Sequence, residues 1–331
     1  MRRTTFTATL AAATLAAAIV VSGTGVALAQ WPEKPVKVTV PFRAGGTSDQ
    51  VTRAFQAAIE ENDILGQPIT VVNVGGHFSI GARQVMEAEP DGYNFLTIHI
   101  ALMGGEGGGI FDFGYRDYEP VTATGQFCVL PMVRKDSGID TVDDLLAKAS
   151  AEPDTLIFGA NLGAINHMGG IMMQNLVEGA KFRFVQIGGG TANFTALTGA
   201  QTDATVLSAA EVANFTRLPD GSENPEAQIK PLAYTGPDRV EHLSDIPTMQ
   251  ELGYEMNYCI ESWWFAPKGT PQEAIDGMAA ALEEAAGTER ITQFYDSKMF
   301  APVFRKGEDL KASLDATWAA IEPIAKQAAN K

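Results

Sequence analysis

The chain has 331 residues, is 45% hydrophobic and carries a formal net charge of −16 at pH 7. That length and apolar content suffice for two α/β domains or one large one. The acidic balance excludes nucleic acid and anionic membrane surfaces as expected partners. Two cysteines, Cys128 and Cys259, lie too far apart for a zinc or redox motif.

Residues 1–29 read as an export signal. Arg2 and Arg3 form a charged start, Ala8 to Val21 is almost purely apolar, and Ala27-Leu28-Ala29 is a small-x-small cleavage site. The apolar run is too short for a confident membrane span. Phe6 falls one residue late for a twin-arginine signal, so ordinary secretory export to the periplasm is expected. Removing two arginines and no acid takes the net charge from −16 to −18. Any anion site must therefore be built locally, against the field of the whole protein. In an oxidising compartment the cysteines either pair or remain buried as small hydrophobes, and the residues leave both open.

The mature chain opens with the strand Val36-Lys37-Val38-Thr39-Val40. It runs through Pro41-Phe42-Arg43-Ala44 into a Gly45-Gly46 turn, and Thr47, Ser48 and Asp49 are all good helix N-caps. Val51, Phe55, Ala58 and Ile59 then mark one helix face. Such a turn aims unpaired N–H groups and a positive helix end at one point, a natural seat for a carboxylate or phosphate.

Ile69 to Asn73 predicts a strand entering Gly75-Gly76-His77, with a helix over Ile80 to Ala88. Pro90-Asp91-Gly92-Tyr93 predicts a turn before the strand Asn94 to Ile98, and Gly104 to Gly109 a glycine-rich loop. Phe127 to Val133 predicts a buried strand, and Thr141 to Asp144 a capped helix start. A strand over Leu156 to Ala160 precedes a Met-rich helix over Asn166 to Leu176. Another over Phe182 to Ile187 enters Gly188-Gly189-Gly190-Thr191 and a helix. Thr248 to Glu251 and Thr270 to Glu273 have capping-box spacing, the latter with Pro271 at the first helical position. Repeated strand, glycine turn and helix argue for an α/β fold with ligands at the strand ends.

Catalytic motifs are missing. There is no nucleophile elbow, P-loop, dinucleotide fingerprint or zinc-protease motif, and His77, His99, His167 and His242 are scattered. What recurs is the glycine turn feeding a helix, which makes a binding cleft without a nucleophile. No cofactor, metal or catalytic residue is expected. The competing reading is a periplasmic hydrolase or isomerase that pairs His77 or His167 with Asp49. A ligand-sensing lobe serving a membrane receptor would use the same fold.

Val38 to Asp49, Pro90 to Tyr93, Gly199-Ala200-Gln201-Thr202-Asp203, Asp245-Ile246-Pro247-Thr248 and Ser262-Trp263-Trp264 through Pro271 stand in the order and spacing of a known family. Together they resemble the Bug-type extracytoplasmic solute-binding proteins of tripartite tricarboxylate transporters. The resemblance implies a two-lobe, type II periplasmic binding protein-like fold with a ligand cleft between lobes. Residues 30–125 plus 262–331 would form lobe 1, and 126–261 lobe 2. It implies a monomer that captures a small carboxylate and delivers it to membrane permease subunits. The ligand positions it implies are Phe42, Arg43, Gly45, Gly46, Thr47, Ser48, Asp49, His77, Phe78, Ser79, Asn161, Asn166, His167, Gly189, Gly190, Thr191 and Ala209. It also places Cys128 and Cys259 on neighbouring crossover strands, close enough for a disulfide. The chain departs from the family pattern at Val74-Gly75 and Ile187-Gly188, where polar or cationic groups are frequent. Arg43 is additional, and is expected to neutralise one ligand carboxylate in their stead.

Overall fold

The computed structural model describes residue 1 and residues 31–218 and 220–328; the export signal lies almost wholly outside the described residues. Its elements, in chain order, are β1 (Val36–Val40), α1 (Thr47–Glu61), β2 (Ile69–Asn73), α2 (Phe78–Met86), β3 (Asn94–Ile98), α3 (Ala101–Gly107), β4 (Tyr118–Arg134), α4 (Val142–Ala151), β5 (Ile157–Ala160), α5 (Ile165–Gln174), β6 (Arg183–Gln186), α6 (Gly190–Thr198), β7 (Ala204–Ser208), α7 (Ala209–Thr216), β8 (Ile229–Pro231), β9 (Cys259–Pro267), α8 (Gln272–Ala286), α9 (Glu289–Lys298), β10 (Ala301–Arg305) and α10 (Gly307–Ala328).

The strands run in the order β2-β1-β3-β9-β4-β7-β5-β6, with β8 and β10 also on β4. The 17-residue β4 joins two half-sheets. Its first part pairs antiparallel with β9 and β10, and its last part pairs antiparallel with β7 and β8. Each half-sheet carries a parallel set: β2-β1-β3 in one, β6-β5-β7 in the other. The β4–β9 register shifts between Ala123 and Gln126, where Gly125 has φ +78° and a Cβ would press on the rings of Tyr295 and Phe300. Only glycine fits that bend. Cys128 and Cys259 face each other in this register and are joined by a disulfide.

Parallel strands flanked on both sides bury both faces, so β1 hides Thr39 along with Val36, Val38 and Val40. On β9, Trp263, Trp264 and Phe265 are fully buried, each contributing about 2–3 kcal/mol by burial. The indoles donate to Glu261 and to Thr124 Oγ1, so neither buried indole N–H is stranded.

Two sequence expectations are corrected, at Gly104 to Gly109 and at Thr270, and the box at Thr248 forms without a helix behind it. Gly104 to Gly109 is not a loop at its start: α3 runs to Gly107, with Gly104 and Gly105 buried. A Cβ at Gly104 would lie 2.0 Å from Gly163 O, and one at Gly105 would lie 2.0 Å from the Phe111 ring. These glycines serve close packing. Thr248 and Glu251 do exchange capping-box hydrogen bonds, but only a turn follows, leaving through Gly253 at φ +87°. Thr270 does not cap α8; its hydroxyl donates to Pro267 O, and Pro271 takes the N-cap position. The box at Thr141–Asp144 forms as expected.

Candidate functional site

A cavity of about 40 Å³ lies where the two half-sheets face each other. Among the described residues, four helix starts line it: Gly46 to Ser48 at α1, Ala164 to Asn166 at α5, Gly189 to Thr191 at α6, and Ser208 with Glu211 at α7. The first N–H groups of a helix have no intrahelical acceptor, and each helix start carries about half a positive charge. Four such ends at one point set a positive dipole field within an acidic protein, against the Glu211 carboxylate in the wall. Phe42, Phe127, Val129 and Val206 supply apolar walls, and the exposed Arg43 stands at the edge.

The α1 and α6 starts close on each other. A Cβ at Gly46 would come 3.4 Å from Glu211 Oε1 and 3.5 Å from Thr191 Oγ1. A Cβ at Gly190 would fall 2.0 Å from Glu211 Oε1, so glycine is required there for the carboxylate to enter. Thr47 Oγ1 and Ser208 Oγ share a 2.6 Å hydrogen bond across the cleft. Asn193, fully buried on α6, donates to Gly188 O at 2.6 Å and to Gly189 O at 3.2 Å, which fixes the glycine turn.

Glu211 is only 4% exposed. Its Oε2 accepts from Ser208 N at 3.1 Å and Ser208 Oγ at 3.2 Å, which caps α7. Its Oε1 crosses the cleft and accepts from Thr47 N at 3.3 Å. Burial pushes this carboxyl above its ordinary range, while hydrogen bonds from Ser208 and Thr47 pull the other way. His99, 6% exposed, stacks on Phe42 with ring centroids 4.9 Å apart. Desolvation lowers its pKa to about 3, so it is neutral. Because Ala101 N donates to Nδ1 at 3.3 Å, the ring proton sits on Nε2 and is a donor. Asn166 donates to Val206 O at 2.7 Å, which leaves its Oδ1 as an acceptor at the cavity.

Phe42, Arg43, Gly46, Thr47, Ser48, Asn166, Gly189, Gly190 and Thr191 thus come together as a wall. Gly45, Asp49, His77, Phe78, Ser79, Asn161, His167 and Ala209 do not reach it, each for a local reason. Gly45 is exposed on the outer side of the turn. Asp49 folds back on its own helix start, accepting from Gly45 N, Arg53 and Asn73. His77 caps α2 by accepting from Ser79 N, and its Nε2–H donates to Leu162 O across the cleft at 3.0 Å. Desolvation lowers the His77 pKa against the pull of that carbonyl. Ser79 bonds His77, Phe78 is core, and Asn161 accepts from Gln186. His167 accepts from Gly163 N and meets the Phe184 ring edge-on, and Ala209 is buried behind Ser208. The residues of an acid–base pair are therefore each engaged elsewhere. Sequence reasoning missed His99, Ser208 and Glu211. The Ser208-x-x-Glu211 capping box was the one legible signal among them.

A cleft between two α/β halves, walled by helix starts and without a nucleophile, defines a solute-binding protein of the periplasmic type. Solved structures agree on the fold. The periplasmic binding protein BugD superposes with a TM-score of 0.79 at 24% identity, covering 90% of this chain and 98% of its own. MatC from Rhodopseudomonas palustris, solved with bound malate, superposes at 0.77 with 22% identity, covering 90% and 100%. The chain belongs to the tripartite tricarboxylate transporter family receptors, whose family model matches residues 51–329. A relative from Agrobacterium vitis, a protein of the ttuE–ttuC′ intergenic region, is 30% identical over 307 residues, 89% of this chain and 84% of its own length. Proteins of this family are periplasmic solute-binding proteins, not enzymes.

Proposed function

We propose that this protein, exported with removal of residues 1–29, captures a small carboxylate-containing solute in the interlobe cleft. It then delivers the solute to the membrane permease of a tripartite tricarboxylate-type transporter. The observation that carries this reading is the convergence of four helix starts and Arg43 on one cavity. Lobe 1 comprises residues 30–125 and 262–331, and lobe 2 residues 126–261. The cavity has room for only two or three waters, so the solute enters when the lobes part. Closure then trades cross-cleft protein contacts for contacts through the solute, and the closed form is what the permease reads. The malate held by MatC supports the carboxylate class.

Arg43 has no ion pair among the described residues, and its side chain packs beside Gly75 at the cavity edge. In a desolvated cleft a charge-assisted hydrogen bond to a carboxylate is worth about 1.5–3 kcal/mol. Arg43→Ala is expected to weaken carboxylate binding more than tenfold in titration calorimetry. An unchanged dissociation constant would remove Arg43 from the site. A thermal-shift screen in which no carboxylate stabilises the protein would overturn the reading as a whole.

A further inference from the structure

The α1 start, the strongest anion seat in the sequence, already holds an anion. Thr47 N donates to Glu211 Oε1, and the carboxylate lies between the backbones of Gly46 and Gly190, 96% buried. The Asp49 carboxylate folds onto the same helix start, accepting from Gly45 N. A solute carboxylate placed there would meet two resident negative charges, with only Arg53 bound directly to one of them. The Glu211 carboxylate also packs against Gly190 at the α6 start, so among the four starts α5 alone meets neither acid: it offers helix N–H groups, and a Thr191 hydroxyl that is buried and without a partner lines the same cavity.

Glu211 also keeps capacity. A carboxylate has about four acceptor positions, and Glu211 spends three on Thr47 N, Ser208 N and Ser208 Oγ. The remaining position belongs to Oε1, the oxygen that stands in the cavity wall between the two glycines. An ordinary capping box needs only one oxygen. The second reaches across the cleft because residue 190 has no side chain.

We infer that Glu211 is the specificity-determining residue of the cleft. The solute is a monocarboxylic acid that carries a hydrogen-bond donor, an ammonium or hydroxyl group, next to its carboxylate. The carboxylate sits on the α5 start beside Arg43, and the donor reaches Glu211 Oε1. A plain diacid is rejected because its second carboxylate has nowhere to go but against Glu211. This inference rests on the carboxylate-binding reading above and narrows it.

The test is a calorimetric series of straight-chain acids of three to six carbons. Each length is offered as the plain monoacid, its 2-amino and 2-hydroxy derivatives, and the diacid. The wild-type protein is expected to bind the amino or hydroxy derivative of one length at least tenfold more tightly than the monoacid or diacid of that length. Glu211→Gln, which keeps an acceptor for the α7 cap, is expected to shrink that ratio to about threefold or less and to gain affinity for the diacid. Circular dichroism confirms that the variant is folded, and the wild-type ranking stands as evidence without it. A purely structural Glu211 would lower stability and leave the ranking untouched. If a plain diacid binds wild type most tightly, the inference fails while the carboxylate reading survives. If no acid binds at all, both fail.

Discussion

The starts of α1 and α6 are near twins in sequence. Each follows a strand and a glycine pair, and each opens on a threonine: Gly45-Gly46-Thr47 and Gly189-Gly190-Thr191. In the structure they differ in charge. The Glu211 carboxylate packs against both, but the α1 start also donates Thr47 N to it and carries Asp49 from its own first turn. No acid lies in the first turn of α6, and the Thr191 hydroxyl there is unpaired. A helix start is an anion seat by its backbone alone, but whether the seat is vacant depends on which side chains the rest of the fold brings to it.

Four measurements bear on this contrast, taken from the largest expected effect to the smallest. The Cys128–Cys259 disulfide closes a separation of 131 residues between β4 and β9, outside the side chains that line the cavity. Cys128→Ser with Cys259→Ser should cost about 2–5 kcal/mol in urea denaturation and leave the ligand ranking unchanged. A changed ranking would show that the starts are set by the frame and not by their own charges. Thiol titration of the unfolded, unreduced protein should find no free thiol.

His99 makes the α1 side of the cavity pH-sensitive. Its folded pKa is lowered from 6.5 to about 3, so the unfolded chain binds the extra proton. Its contribution to stability is complete above the unfolded value and is lost as pH falls from about 6.5 toward 3. The loss reaches about 2–3 kcal/mol at pH 4.5. Glu211, raised by burial, contributes with the opposite sign, since its native state holds the proton more readily than the unfolded chain. Denaturation midpoints of wild type and His99→Asn from pH 4 to 7 should diverge at the acid end, with the variant flatter. Parallel curves would place the acid sensitivity elsewhere.

Gly190→Ala tests the approach of the two starts directly, because its Cβ would fall 2.0 Å from Glu211 Oε1. Expelling that oxygen or parting the helices should cost about 1–3 kcal/mol. It should also abolish thermal stabilisation by ligand. Full stabilisation would mean that the carboxylate does not need the space. Asp49→Asn is the mildest change: it removes a first-turn charge and the pair with the half-exposed Arg53. A loss of under about 1 kcal/mol follows, screened by salt. If α1 is the occupied seat, this variant should improve diacid binding less than Glu211→Gln does.

Much of the fold was legible. The alternation of β1, the α1 face and the cap at Thr141 are local patterns, and they formed where local rules put them. The α3 glycines were not legible, because their packing depends on Gly163, about 60 residues away, and on where the Phe111 ring folds back; the Thr248 box formed, but the chain turns out through Gly253 before a helix can follow. Of the cavity wall, the glycine turns were visible because glycine announces a backbone demand. His99 and Glu211 were not, because a single histidine or a capping glutamate looks the same wherever it stands.

The sequence by itself determined which segments become helix starts, that they are built to meet anions, and that no catalytic set accompanies them. Those properties reside in short stretches of backbone and in the residues present. Tertiary structure decided which starts face one another, that Arg43 meets the cavity while Asp49, His77 and His167 turn away, and that Glu211 fills the first seat. Hydrogen bonds and burial between residues some 160 positions apart, as between Thr47 and Glu211, exist only once the two half-sheets are joined.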